Sequence, residues 1–180
     1  MWQTNKPKPV KLIVGIFAAD AECLQKAVEA VTSQFGQADL ISDVWPFDKT
    51  NYYKEQTGEH ILRQFVSIEK PIDSGELAAI KHTTNKLEQN LAVQLKRNVP
   101  RPVNLDPGII EPSKLVLATT KNYSHRIYIG KKMYAEVTLI FDKGHWLPLP
   151  YTYPDYRQQC YFDFFEKVRT KLLEQLKSER

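Results

Sequence analysis

The longest uninterrupted apolar stretch lies near the start of the chain, where KLIVGIFA predicts a buried strand from Lys11 to Ala18. Asp20 follows as a candidate helix N-cap, and Gly36 as the residue that ends the helix. Between them, apolar residues recur at helical spacing: Leu24, Ala27, Val28, Val31 and Phe35. The chain therefore opens with a strand followed by an amphipathic helix.

Two further strand patterns and a loop come next. ADLISDVWPFD predicts a second strand that Pro46 closes, and ILRQFVSIEK alternates as a third strand. The polar and aromatic stretch between them, TNYYKEQTGEH, predicts a loop with a turn at Gly58. Within it, Tyr52 and Tyr53 either anchor the loop or cover a ligand.

The second helix follows Asp73 and Glu76, which have the spacing of a capping box. Its apolar residues recur at helical spacing: Leu77, Ile80, Leu87, Leu91 and Leu95. The Pro-rich stretch VPRPVNLDPGIIEP comes after it. Within this stretch, Asp106-Pro107-Gly108 predicts a tight turn, since Pro fixes φ and Gly accepts a positive φ.

Three short strands in a meander come next, KLVLATT, HRIYIG and MYAEVTLIF. The Pro-rich and aromatic HWLPLPYTYPDY then leads to a final helix that begins near Asp155. This order predicts an α+β fold, a largely antiparallel sheet with helices packed on one face. A ferredoxin-like core plus a C-terminal β-meander and helix fits it, with residues 1–180 as one domain and 1–9 as a flexible N-terminal tail. Whether the last helix covers the second face stays open.

The hydrophobic pattern also indicates how the last two strands of the meander pair. Tyr134, Glu136 and Thr138 alternate with the apolar residues of YAEVTLIF, which we place on the core face. Opposed residues of an antiparallel pair share a face, so the loop must have an odd length, which pairs Tyr128 with Tyr134 and Arg126 with Glu136. The core face then holds Ile127, Ile129, Ala135, Val137, Leu139 and Phe141.

The composition is that of a globular chain, 42% hydrophobic and 26% charged, which excludes an intrinsically disordered protein. The two cysteines, Cys23 and Cys160, give neither a zinc framework nor a disulfide scaffold, and they suit a reducing cytoplasm. The net charge of +4 permits an anionic ligand without requiring one, and the absence of long basic runs makes nucleic acid an unlikely partner. No apolar run has the length of a membrane span.

Basic and titratable residues concentrate around the hairpin. Arg126, Lys121 and Lys114 are candidates for an anion pocket, because a guanidinium binds phosphate or carboxylate through two contacts and Lys adds a point charge. His125 is the candidate general acid or base, and Glu136 either orients Arg126 or acts as a base. Four tyrosines are candidate ligand contacts: Tyr128, Tyr134, Tyr153 and Tyr156. The alternative is a solvated sheet face whose Arg–Glu and Tyr–Tyr pairs only stabilise the strands.

Other kinds of site lack a signature. The histidines show neither H-x-x-x-H nor H-E-x-x-H, so no metal site is predicted. There is no G-x-S-x-G nucleophile motif and no P-loop of the form G-x-x-x-x-G-K-[ST]. The pattern specifies no cofactor and no oligomeric state.

Three blocks resemble a family of bacterial proteins classed as a domain of unknown function: VNLDPGIIEPSKLVLATTKNYSHRIYIG, YAEVTLIFDKG and LPYTYPDYR. The LDPG and HRIY–YAEVTL blocks are the most distinctive, and the resemblance extends from KLIVGIF to the last helix. Members of that family are often labelled "GTP-binding protein", and since this chain has no P-loop, such binding would use a different kind of nucleotide site. The resemblance implies a small cytosolic bacterial protein and brings no established activity or catalytic residue.

Our leading hypothesis is a protein that binds an anionic small molecule, such as a nucleotide or another phosphorylated metabolite, at the hairpin. The competing hypothesis is a protein-interaction module that uses the Tyr/Arg sheet face and the Pro-rich aromatic loops, with no small ligand. RNA binding ranks third, because aromatic residues on strands can stack on bases but no RNA-recognition signature is present.

Overall fold

The computed structural model describes residues 2–47, 54–58 and 60–178, which form a nine-stranded sheet and four helices. The strands are β1 (Lys11–Ala18), β2 (Ala38–Ile41), β3 (Trp45–Phe47), β4 (Ile61–Ile68), β5 (Val103–Glu111), β6 (Lys114–Thr119), β7 (Ile127–Tyr128), β8 (Tyr134–Asp142) and β9 (His145–Pro148). The helices are α1 (Ala21–Phe35), α2 (Lys54–Thr57), α3 (Leu77–Leu95) and α4 (Gln159–Ser178).

One half of the sheet has the topology of a ferredoxin-like core. Its strand order is β2-β4-β1-β5, and every neighbouring pair is antiparallel. The connection through α1 joins β1 to β2, and the connection through α3 joins β4 to β5, so each passes over one intervening strand. The predicted α+β class and ferredoxin-like core are confirmed.

The C-terminal meander extends this sheet beyond β5, in the order β5-β6-β8-β7, and β9 also pairs with β8. The two faces carry separate cores, because successive residues of β1 point in opposite directions. Leu12 and Val14 pack with α1 and α3, whereas Ile13 packs with Phe165 and Tyr161 of α4. Helices α1 and α3 thus share one face as predicted, and α4 covers the second face.

The helices begin and end at residues that satisfy their backbone groups. The Asp20 carboxylate accepts a hydrogen bond from the Cys23 backbone N–H at 2.8 Å and caps α1, and Gly36 at φ 107° ends it. Asp73 accepts from the Gly75 N–H at 2.7 Å, at the start of a 3₁₀ turn that leads into α3. None of the described helices is long and apolar enough to cross a membrane.

Asp106-Pro107-Gly108 does not form the predicted turn, because all three residues lie within β5. Pro107 is compatible with a central strand since the pairing of β5 with β6 begins only at Gly108. A Cβ at Gly108 would lie 2.6 Å from Leu117 Cδ2 and 2.7 Å from the carbonyl oxygen of Val116. Glycine therefore permits the close approach of β5 and β6 because it has no Cβ. Its ability to adopt a positive φ is not needed at this position.

Three other local predictions are wrong. ADLISDVWPFD forms two short strands, and Pro46 lies inside β3, which pairs only with β4 among the described strands. Part of the predicted loop is helix α2, while Tyr52 and Tyr53 lie outside the described residues. HWLP forms β9, and a 3₁₀ turn from Pro154 to Arg157 precedes α4, so the final helix begins at Gln159 and not near Asp155.

The predicted pairing of the β7–β8 hairpin is confirmed. Tyr128 lies opposite Tyr134, and the side chain of Arg126, which precedes β7, reaches Glu136. The placement of Ile127 in the core is wrong, since its side chain is 70% exposed. The reason is that β7 is only two residues long and is the last strand of the sheet.

The predicted common face along β8 is also wrong. The register between β6 and β8 shifts between Leu115 and Val116. Ala135 and Val137 pack on the α3 side of the sheet, whereas Leu139 packs in the core of α4. The bulge thus brings Leu139 to the opposite side from the one that strict alternation predicts.

Candidate functional site

The polar face of β8 is covered by another part of the chain. Glu136 is 3% exposed and Thr138 is fully buried. Residues 149–158 lie against this face, where Thr152 Oγ1 donates to the Thr138 carbonyl at 2.5 Å. Arg157 holds the segment together by donating to the carbonyls of Leu149, Pro150 and Thr152 at 3.0–3.1 Å. The polar residues therefore form an enclosed site beneath the 149–158 segment.

Within this enclosed site, Glu136 is the central hydrogen-bond acceptor of a group of side chains that we call the first polar centre. Its Oε2 accepts a hydrogen bond from Arg126 Nε at 2.8 Å and lies 3.1 Å from His125 Nε2. Thr138 Oγ1 lies 3.4 Å from the other carboxylate oxygen. Arg126 also donates to Tyr153 Oη at 2.8 Å. Burial is the largest single influence and lowers the pKa of Arg126, but the hydrogen bonds and charges of Glu136 and Tyr153 together outweigh it, so the pKa of Arg126 is raised.

His125 has the arrangement of an oriented acid–base group. Its ring stacks on Tyr151 with centroids 4.1 Å apart and planes 8° apart. Because Glu136 accepts at Nε2, the neutral ring has its lone pair on Nδ1, which has no hydrogen-bond partner in the described part of the chain. Burial, and then the Glu136 charge, raise the pKa of Tyr151. The geometry can therefore orient Nδ1 for proton transfer.

The predicted anion pocket comes together only in part. Lys121 contributes its backbone carbonyl, which accepts from Arg126 Nη1 at 3.1 Å. Lys114 pairs with Glu111 at 2.7 Å, at the opposite end of β6 from Thr119. Lys114 and Thr119 are five residue steps apart along the strand, roughly 16 Å, so Lys114 does not reach the hairpin site.

The four predicted tyrosines lie in three places. Tyr153 belongs to the first polar centre through Arg126. Tyr128 and Tyr134 pack edge to face, with centroids 5.5 Å apart, at the edge of the sheet. Tyr156 is buried on the same sheet face as Glu136, but beside Arg63.

Arg63 forms a second polar centre, which was not predicted from the sequence pattern. This side chain of β4 is fully buried, with its guanidinium carbon 4.1 Å from the Phe17 ring centroid and 4.2 Å from that of Phe65. A Cβ at Gly15 on β1 would lie 3.0 Å from Nη2, so glycine leaves the space that the guanidinium occupies. Asp155 of the 149–158 segment places Oδ2 3.7 Å from Nη2.

This centre has more donors than acceptors. In the described part of the chain, the three guanidinium nitrogens of Arg63 and the hydroxyls of Tyr156 and Tyr161 are buried without a hydrogen-bond partner. Burial raises the pKa of Tyr156, and raises that of Tyr161 to about 12, so both hydroxyls stay protonated. Burial also raises the pKa of Asp155, against the opposing charge of Arg63.

A sequence signal for Arg63 was present. In ILRQFVSI, strand alternation places Arg63 on the same face as Ile61 and Phe65, which point into the protein. A charged residue at an inward-pointing position of a strand is rarely left there without a partner.

A third polar centre adjoins the second at the start of β5. The Leu105 N–H donates to Glu88 Oε1 at 2.7 Å, and the Leu105 carbonyl accepts from Lys81 Nζ at 2.8 Å. Two α3 side chains thus replace β6 as backbone partners where the β5–β6 pairing stops. Lys81 Nζ also lies 3.5 Å from Asp106 Oδ1. Burial raises the pKa of Glu88, although Lys81 and Arg101 oppose the shift.

A comparison with known families identifies the chain. The family model described as a domain of unknown function, DUF4416, matches residues 8–172. The chain belongs to this family. No curated protein matches the chain, and no solved structure matches it. The DUF4416 match includes all three polar centres but assigns neither a ligand nor a reaction to them.

Proposed function

We propose that this DUF4416 protein binds an anionic small molecule on the sheet face beneath the 149–158 segment. The observation that supports this most directly is the surplus of buried donors around Arg63. A guanidinium has five N–H groups, and two tyrosine hydroxyls add two more donors. The two tyrosine oxygens adjoin the guanidinium, but no described residue gives these donors a hydrogen bond of standard geometry.

The missing partner must be a hydrogen-bond acceptor. A buried donor without one costs about 1–3 kcal/mol, and a charged donor costs more. Asp155 offers a carboxylate, but its distance of 3.7 Å from Arg63 exceeds that of a hydrogen bond. A carboxylate or phosphate group has several acceptor oxygens and fits the planar fork of Arg63.

The 149–158 segment connects this centre to His125. Tyr151 stacks on His125, Tyr153 accepts from Arg126, and Asp155 faces Arg63. Four residues of chain span at most about 14 Å, which suits a molecule of metabolite size. In this arrangement the ligand's anionic group contacts Arg63, and Nδ1 of His125 transfers a proton if the bound molecule reacts.

The test is thermal unfolding in the presence of carboxylates, inorganic phosphate and nucleotides, with and without Mg²⁺. A ligand at 100 times its Kd adds about 2.7 kcal/mol, which raises the melting temperature by roughly 5–10 °C for a chain of this size. The test variant is Arg63→Met/Asp155→Asn, which removes the ion pair without leaving a buried unpaired charge.

A matched control is Arg169→Met/Glu166→Gln. Arg169 also lies over an aromatic ring, 3.6 Å from the centroid of Phe141, and pairs with Glu166 at 3.1 Å. We expect the wild type and this control to show the ligand shift, and the folded Arg63→Met/Asp155→Asn variant to lose it. A panel without any shift in the wild type, or a shift that survives undiminished in that variant, would contradict the proposal.

A protein-interaction function is the second candidate. Exposed apolar side chains cluster at the short edge strand β7, where Tyr123, Ile127 and Tyr128 are each at least 59% exposed. Arg126, by contrast, is engaged with Glu136 and is not available to a partner. If this edge mediates association, Ile127→Lys reduces the mass measured by light scattering at high protein concentration, and an unchanged mass argues against self-association.

A further inference from the structure

A basic groove lies between α3 and the turn of the β7–β8 hairpin. It is open, with a volume of about 540 Å³, and is lined by Ala79, His82, Lys86, Lys131 and Lys132. We call it the lysine groove. No acidic residue lines it, and none of its three lysines forms a salt bridge with another described residue. The groove therefore concentrates positive charge that the described chain leaves uncompensated.

The turn that carries two of these lysines has a costly backbone. Lys131 and Lys132 have φ values of 51° and 61°, and the Met133 N–H donates to the Gly130 carbonyl at 2.9 Å. Two consecutive left-handed residues define a type I′ pattern, which strongly prefers Asn-Gly. Lys96 and Lys143 are also left-handed, and Gly144 at φ 87° follows Lys143, but neither lysine has a second left-handed lysine beside it. Strain at two adjacent lysines indicates that their side chains serve a purpose that Asn-Gly would not.

The turn is also fixed in position. His82 Nε2 lies 2.6 Å from the Lys131 carbonyl oxygen, and the Lys132 N–H donates to Tyr128 Oη at 3.3 Å. A carbonyl only accepts, so Nε2 of His82 bears a proton. The lysine backbone is thus held on the α3 side and on the strand side before any ligand binds.

We propose that the lysine groove binds a phosphate group. Lysine ammonium groups act as point charges with three donors each, which suits the several oxygens of a phosphate or pyrophosphate. This site is independent of the function proposed above. It lies on the α3 side of the hairpin, whereas Glu136 and Arg63 face the opposite side of the sheet.

The experiment is calorimetric titration of inorganic pyrophosphate at low salt. The test variant is Lys131→Asn/Lys132→Gly, which suits the type I′ turn and removes two charges. We expect it to melt at a temperature roughly 4 °C or more above the wild type, since the left-handed penalty is removed. We also expect at least about tenfold weaker binding, the equivalent of one lost charge-assisted hydrogen bond.

The matched control is Lys143→Asn, at a left-handed position of the β8–β9 turn outside the groove. It should gain stability and keep the pyrophosphate affinity of the wild type. Lys86→Gln, on α3, should weaken binding without a change of turn conformation. The proposal is overturned by a wild type that does not bind pyrophosphate, or by unchanged affinity in Lys131→Asn/Lys132→Gly.

A final arm separates a phosphate site from a nucleic-acid surface. A short single-stranded oligonucleotide is titrated under the same conditions. Tighter binding of the oligonucleotide than of pyrophosphate, lost in the same variant, overturns the small-phosphate site in favour of a nucleic-acid surface. Pyrophosphate binding that exceeds oligonucleotide binding supports the proposal.

Discussion

Removal of the Glu136 carboxylate should leave Arg126 as an unpaired buried charge. The Arg126 Nε donates to Glu136 at 2.8 Å, and the two side chains are 7% and 2% exposed. Breaking a buried ion pair by deleting one partner costs about 3–5 kcal/mol. We therefore expect Glu136→Ala to lower the melting temperature by roughly 6–20 °C, since each kcal/mol shifts it by about 2–4 °C in a chain of this size.

Removal of both charges should lower the free energy of unfolding much less than removal of Glu136 alone. Replacing a buried ion pair with uncharged residues of similar volume is often neutral, so Arg126→Met/Glu136→Gln should stay within about 2 kcal/mol of the wild type. The free energy of unfolding from urea titration gives the coupling between the two residues in a double-mutant cycle. Single and double variants of equal stability, or a loss under about 1 kcal/mol in Glu136→Ala, would refute a buried, mutually dependent pair.

Three further predictions follow from other parts of the fold. Gly108→Ala should lose about 1–3 kcal/mol in urea unfolding, because the new methyl would lie 2.7 Å from the Val116 carbonyl oxygen; wild-type stability would contradict the close approach of β5 and β6. The hydrogen bond from Arg97 lowers the pKa of Asp20 to about 2, so the stability that Asp20 provides is present above its ordinary pKa and is lost as the pH falls towards 2. After allowance for solvent exposure this loss is on the order of 1 kcal/mol, and Asp20→Asn, which keeps the helix cap, should not show it in acid unfolding. Glu88→Ala should orphan the buried Leu105 N–H and cost about 1–3 kcal/mol or more, whereas Glu88→Gln should cost less; equal thermal stability of the two variants would contradict this role.

Local sequence patterns were sufficient to predict an element where one periodicity dominated its segment. The apolar run of β1, the stripe of α1 and the Asp20 cap were predicted because each depends on residues close in sequence. The Tyr128–Tyr134 pairing followed from side-chain alternation alone, since a register shift by one residue would move every side chain of the strand to the opposite face.

Prediction failed where a distant segment decided the local structure. Asp106-Pro107-Gly108 has the composition of a turn, but the strand conformation is imposed by β1, which pairs with all three residues. The bulge in β8 depends on its register with β6, which the sequence of β8 does not encode.

For the candidate site, the sequence determined which residues of the hairpin are polar and that Arg126 meets Glu136. Only the tertiary structure decided that this face is enclosed, because the 149–158 segment returns across it from beyond β9. The tertiary structure likewise brought Arg63 together with Asp155, 92 positions later in the chain by subtraction of their residue numbers. Strand and helix periodicities arise from neighbours along the backbone, whereas burial and charge pairing arise from packing between segments that no local pattern connects.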